Sequence, residues 1–148
     1  MLKKVMPTTY LLAAILLILL LHYIFPITAI IGLPWKLLGL LPLVLGVLLN
    51  LIADRDLKRS RTTVKPFQQS STLVTDGAYR ICRHPMYLGF VLILFGITIL
   101  LGSVSPYIVI IVFAILLEYL FIGDEEMMLE EQFQKEWLHY KSKVRKWI

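Results

Sequence analysis

Two short polar clusters border the apolar runs of this sequence. Arg83-His84-Pro85-Met86-Tyr87-Leu88-Gly89 sets a guanidinium, an imidazole and a phenol directly ahead of a long apolar run, and Asp124-Glu125-Glu126 follows the next such run. Upstream, Thr72-Leu73-Val74-Thr75-Asp76-Gly77-Ala78-Tyr79-Arg80 adds hydroxyls, a second phenol and an Asp-Gly turn signal. Carboxylates facing basic and aromatic groups can hold a polar, partly cationic small molecule where water meets lipid, but residue types alone do not identify it. Each residue also has a plainer reading. His84 before Pro85 can simply start a helix, the acidic triplet suits a helix N-terminus, Tyr79 and Tyr87 suit a membrane interface, and Arg83 suits a topology anchor. His22 lies inside the first apolar run and reads as structural. His84 and His139 stand at no metal-ligand spacing, so no metal is expected. Cys82, the one cysteine, excludes an internal disulfide and reads as a small filler.

The elements that must position these groups are set by hydropathy. The 148 residues are 58% hydrophobic and 17% charged, against about 25% charged in an average soluble domain. The apolar excess is gathered into runs at about 8–25, 35–53, 85–101 and 106–123. Each is near the roughly 20 residues a helix needs to cross a bilayer, and in lipid a helix satisfies its own backbone. The expected fold is therefore all-α and integral to a membrane, a single domain over 1–148. It has four transmembrane helices, a cytosolic loop at 54–84 and a tail helix at 124–147. Lys3 and Lys4 before the first run resemble a signal peptide's charged start, but the bulky His22-Tyr23-Ile24-Phe25-Pro26 offers no cleavage site, so the span is read as retained. Pro42, with Gly39 and Gly46, either bends the second span or admits a close neighbour. Ile27–Leu33 is read as an interfacial or re-entrant link. Lys and Arg crowd the N-terminus, the middle loop and the tail, with only Lys36 on the other side. Both termini are therefore expected in the cytosol, at the cell membrane if the source is prokaryotic. The formal charge of +5 is accounted for by these flanks, so no nucleic-acid partner is expected and the bilayer is.

Gly102-Ser103-Val104-Ser105 is too short for anything but an antiparallel hairpin between the third and fourth spans. That hairpin should bring Arg83–Tyr87 to Asp124–Glu126. In the tail, Leu129, Phe133, Trp137, Tyr140, Val144 and Trp147 recur at three- and four-residue spacings, the stripe of an amphipathic helix. Its apolar face either lies on the membrane or closes over the hairpin, with Trp137 and Trp147 suited to the headgroup zone.

The Thr72–Tyr79 stretch, the Arg-His-Pro-x-Tyr-x-Gly run, Glu125-Glu126 and the tail ending Val144-Arg145-Lys146-Trp147-Ile148 resemble the isoprenylcysteine carboxyl methyltransferase and phospholipid methyltransferase superfamily. The resemblance covers roughly 55–148. It implies a membrane-embedded methyltransferase with S-adenosyl-L-methionine as cofactor, no Rossmann fold and a lipophilic small-molecule or lipid acceptor. Carried over position by position, Ser71, Thr72, Leu73 and Val74 would line the cofactor pocket. Tyr79, His84, Pro85, Met86 and Tyr87 would continue it, Gly89 would leave space on the third span, and Glu125 or Glu126 would hold the cofactor's polar groups. The resembled prenylcysteine enzymes carry an arginine near the end of the fourth span; here Phe121 and Ile122 stand in that neighbourhood. Glu118 lies inside the run instead, and an intramembrane carboxylate is a functional candidate by default. Glu118, as an amine-favouring group or base, and Arg83 are the expected catalytic residues. The rival is a non-catalytic membrane subunit or small transporter, which needs polar residues lining a path across the bilayer.

Overall fold

The computed structural model describes residues 6–25, 31–60 and 72–148. Four apolar helices carry the fold, with no strand among the described residues. Helix α1 is Pro7–Ile24, opened by its proline. A 3-10 turn, Trp35–Gly39, leads into α2, Leu40–Arg59. Helix α3 is Pro85–Leu101 and α4 is Tyr107–Leu117; α4 continues through a π-turn, Glu118–Ile122, into α5, Gly123–Lys143. Three stretches, Pro7–Ile24, Trp35–Arg59 and Tyr107–Lys143, are long and apolar enough to cross a membrane, and Pro85–Leu101 is a shorter apolar helix. Large side chains such as Leu12, Leu16, Leu41, Ile111 and Ile115 are exposed along them, as on a surface solvated by lipid.

Helix α2 packs closely on α3 along a seam of glycines. A Cβ on Gly39 would lie 2.5 Å from the Gly96 carbonyl oxygen, and one on Gly46 would lie 2.6 Å from that of Gly89. Small residues let backbones approach where lipid supplies no hydrophobic drive between helices. Gly39 and Gly46 therefore serve to admit a neighbour. Pro42 falls in the first turn of α2, where its missing N–H costs little. The helix also runs six residues past the expected end at Ala53. The exit is polar but still helix-forming, and Lys58 bonds Asp54 at 2.6 Å one turn back.

The hairpin turn between α3 and α4 forms as expected. Gly102 takes the left-handed conformation at φ 77° and its amide caps the Thr98 carbonyl at 3.0 Å. His22 bonds the Ser103 hydroxyl at 2.7 Å, and Ser105 donates to the Phe25 carbonyl at 2.8 Å. His22 thus ties α1 to the hairpin. The Ile27–Leu33 link lies largely outside the described residues.

The tail departs from expectation. No break occurs at Gly123, whose backbone is helical and whose amide bonds the Glu118 carbonyl in the wide π pattern. The kink comes at Gln134 (φ 42°), and the helix ends at Lys143 rather than near 147. The buried stripe shows what the π-turn achieves. Phe113, Leu117, Phe121, Ile122 and Glu126 are all buried. Phe121 and Ile122 both face inward at the wide turn, and the stripe passes there from the Phe113–Leu117–Phe121 line to the Ile122–Glu126 line, a widening of one residue. Without that widening Glu126 would be rotated off the inner face. Beyond the kink the tail's apolar face closes over the hairpin. Trp137 is 1% exposed, so it belongs to the interior and not to the headgroup zone.

If the glycine seam sets the α2–α3 distance, Gly46→Val should cost about 1–3 kcal/mol by overpacking. Gly32→Ala, where a Cβ meets nothing within 4 Å, should change little. Thermal unfolding in detergent compares the two.

Candidate active site

The site is built where α3 begins and α5 begins, and its central pair, His84 and Glu126, lie forty-two positions apart along the chain. His84 caps α3 and is 5% exposed. Its Nε2 lies 3.2 Å from Glu126 Oε1, and its Nδ1 lies 3.6 Å from Glu125 Oε2. Tyr87, one turn into α3, donates its hydroxyl to Glu125 Oε1 at 2.6 Å and stacks on the His84 ring with centroids 5.8 Å apart. Arg83 Nη2 reaches Glu126 Oε1 at 3.2 Å while its guanidinium lies 5.7 Å from the Trp137 ring centroid, a cation–π contact. The two expected clusters therefore meet as one network.

The two carboxylates are not equivalent. Glu126 is buried among Arg83, His84 and, at 4.0 Å, Lys146. Burial pushes its carboxyl upward, but those three cationic groups outweigh burial and hold it below the ordinary carboxylate range. Glu125 has the Tyr87 hydroxyl and the longer His84 contact, and its side chain is more exposed, 24% against 11%. For His84, burial disfavours the imidazolium, yet hydrogen bonds and charges from Glu125 and Glu126 prevail and raise it above its usual value. Burial, then the Glu125 charge, keep Tyr79 a neutral phenol.

The remaining expected residues are placed more loosely. Pro85 is buried at the first position of α3 and Met86 is half-buried beside it. Thr72, Leu73 and Val74 form an irregular segment leading to the turn at Asp76, and Ser71 lies outside the described residues. Gly89 does leave space on α3, but α2 takes it up: a Cβ there would strike the Asn50 amide and the Gly46 carbonyl. Glu118, expected as an amine-favouring group or base, is ion-paired: Lys146 bonds its Oε1 at 2.5 Å. Arg83 is no surface anchor; its side chain is 8% exposed. Its Nε and Nη1, and Trp137 Nε1, are buried without a hydrogen-bond partner among the described residues.

Three contributors escaped sequence reasoning. Asp56 accepts the Ala78 amide at 2.9 Å and its carboxylate fills the space beside Gly77, which sits at φ 62°. Tyr140 donates to the Tyr79 carbonyl at 2.5 Å, fastening the loop to the tail. Lys146 joins Glu118 to Glu126. The stripe of the tail marked Tyr140 as inward, but only the fold reveals its partner; for Asp56 and Lys146 the charged runs around them gave no local signal.

A family model described as phospholipid methyltransferase matches residues 35–136. An uncharacterized protein of Haemophilus influenzae is 38% identical over 63 residues, which is 43% of this chain and the whole of that protein. No solved structure matches.

The ion network should make stability depend on pH from both sides. His84, raised on folding, contributes fully below its unfolded value of about 6.5 and loses that contribution as pH rises through its folded value. Glu126, lowered on folding, contributes above its unfolded value of about 4.3 and loses it as pH falls. The melting temperature in detergent should therefore peak between about pH 4.5 and 6.5. His84→Gln should flatten the alkaline limb while leaving a fall on the acid side.

Proposed function

The chain belongs to the phospholipid methyltransferase family, and from that premise we propose an S-adenosylmethionine-dependent methyltransferase acting on a lipophilic acceptor. The acceptor is of the phospholipid-amine or prenylcysteine-carboxylate type, met at the cytosolic membrane face with both termini in the cytosol. One observation carries the reading: His84 touches both Glu125 and Glu126 across the hairpin, which joins the two motif clusters into one polar site at one end of an apolar bundle.

The donor set fits the cofactor's chemistry. A sulfonium amino acid brings an ammonium, a carboxylate and an aromatic base. Glu125, the less encumbered carboxylate, suits the ammonium. Arg83 has two buried nitrogens, Nε and Nη1, without an acceptor among the described residues and suits the carboxylate. Tyr79, Tyr87 and the Ser71–Val74 segment, with Met86, are assigned to the walls. When bound, S-adenosylmethionine supplies a methyl group already activated on sulfur, so transfer requires positioning more than acid–base work.

Within that frame Glu126 is a structural anchor, because Arg83, His84 and Lys146 already satisfy it. His84 and Tyr87 fix Glu125 from two directions, leaving it little freedom to follow a misplaced ligand. Glu118 stands in the apolar run with its side chain 36% exposed. It is assigned to meet the acceptor's polar end, as a member of an ion pair and not as a free base. A transporter needs polar groups along the whole bilayer path; here the titratable network sits at one end, which supports the enzyme reading.

Calorimetry on detergent-purified protein should detect S-adenosylhomocysteine binding, and a folded protein that binds none at millimolar ligand refutes the proposal. Glu125→Gln should weaken that binding at least about tenfold, the loss of one charge-assisted hydrogen bond. Glu118→Gln should slow transfer of radiolabelled methyl to lipid acceptors while ligand affinity stays within about twofold.

A further inference from the structure

The last five residues cross the site. Val144 leaves the helix in an extended conformation. The Arg83 amide then donates to the Arg145 carbonyl at 3.0 Å, which pins the strap to the residue preceding His84. Trp147 packs against the apolar cluster of α1, α3 and α4. Between those two anchors Lys146 extends to Glu118 at 2.5 Å and Glu126 at 4.0 Å.

The π-turn prepares both carboxylates for that single cation. In an uninterrupted α-helix, residues eight apart point about 80° away from each other. A π-turn absorbs one extra residue, so Glu118 and Glu126 align like residues seven apart, within about 20°. The wide turn, Glu118–Ile122, lies wholly between them. Two carboxylates brought to one helix face repel each other unless a positive charge lies between them. Arg83 and His84 reach Glu126 but not Glu118; Lys146 is the group that contacts both.

We propose that Lys146 is a positioning residue: delivered by the C-terminal strap, its ammonium clamps Glu118 to Glu126 and thereby holds Glu126 in place against His84 and Arg83. The clamp acts through the carboxylates and touches neither cofactor nor acceptor. Its consequence for turnover rests on the methyltransferase reading; its consequence for His84 does not.

The test uses the full chain with Lys146→Met and Lys146→Arg. NMR titration of labelled histidine in micelles, with the His84 signal assigned by its loss in His84→Gln, gives a readout independent of activity. Removing a nearby positive charge without moving Glu126 would raise the His84 pKa. Loss of the clamp lets Glu126 withdraw, so the expected result in Lys146→Met is a fall, with Lys146→Arg restoring the wild-type titration. A rise or no change in the methionine variant overturns the proposal, as does an arginine variant that behaves like methionine. Should Lys146→Met fail to fold, Glu118→Gln, which removes the clamp's other arm, must lower the His84 pKa in the same way or the proposal fails. Where wild-type protein transfers methyl groups, Lys146→Met should lower turnover about tenfold and Lys146→Arg much less. Wild-type protein that binds no S-adenosylhomocysteine sinks the methyltransferase reading alone, and the titration still decides the clamp.

Discussion

A carboxylate taken out of water must be surrounded by positive charge and hydrogen-bond donors, and Glu126 imposes that requirement on the whole polar end of this molecule. Its partners come from two separate places in the chain: Arg83 and His84 from the start of α3, and Lys146 from the strap. None of these is a sequence neighbour of Glu126. Removing one partner of a buried pair leaves an uncompensated charge, a far larger penalty than the pair's net stabilisation. The carboxylate therefore enforces the arrangement more than it strengthens it: helices α3 and α5 and the strap must all be in register before Glu126 can be buried at all.

That register is prepared by apolar packing. The glycine seam draws α2 against α3 until backbone atoms touch, so the polar end of α2 arrives at a fixed height beside the loop. Asp56 then receives the Ala78 amide and closes the space next to Gly77. Tyr140, from the tail, takes the Tyr79 carbonyl. The loop segment Gly77–Cys82 is thus held from below by α2 and from above by α5. Tyr79 is delivered to the carboxylates without a regular element of its own beyond a short 3-10 turn, Gly77–Arg80.

Much of this was legible in the sequence, for identifiable reasons. Apolar runs of about 20 residues announce helices because a helix satisfies its own backbone within a continuous segment of that length in lipid. The four-residue link Gly102–Ser105 announces a hairpin because nothing longer-range fits, and the meeting of His84 with Glu125 and Glu126 follows from it. The failures share a cause. Span and tail were expected to part at Gly123 because the chain turns polar there, but hydrogen bonding through a π-turn keeps the chain helical and shifts the stripe by one residue, a tertiary demand made by Glu126. Trp137 was assigned to an interface by its type, yet Arg83 needed a ring beneath it. The ion pair of Glu118 was not legible because its partner lies twenty-eight residues on, at a lysine that composition groups with the topology signals.

The division between the two adjacent glutamates has a simple physical origin. Neighbouring residues on a helix point about 100° apart, so Glu125 and Glu126 cannot face the same surroundings. The π-turn decides which one points inward. With the extra residue, Glu126 continues the buried line of Leu117 and Ile122, and Glu125 is left toward Tyr87 and the more open side. Phe121 is buried as well, and an ordinary helical turn at Glu118–Ile122 would carry the Leu117–Phe121 line on to Glu125 and reverse the roles of the two glutamates. One inserted residue in a helix thus separates a carboxylate enclosed by three cationic groups from one held by Tyr87 on the more open side.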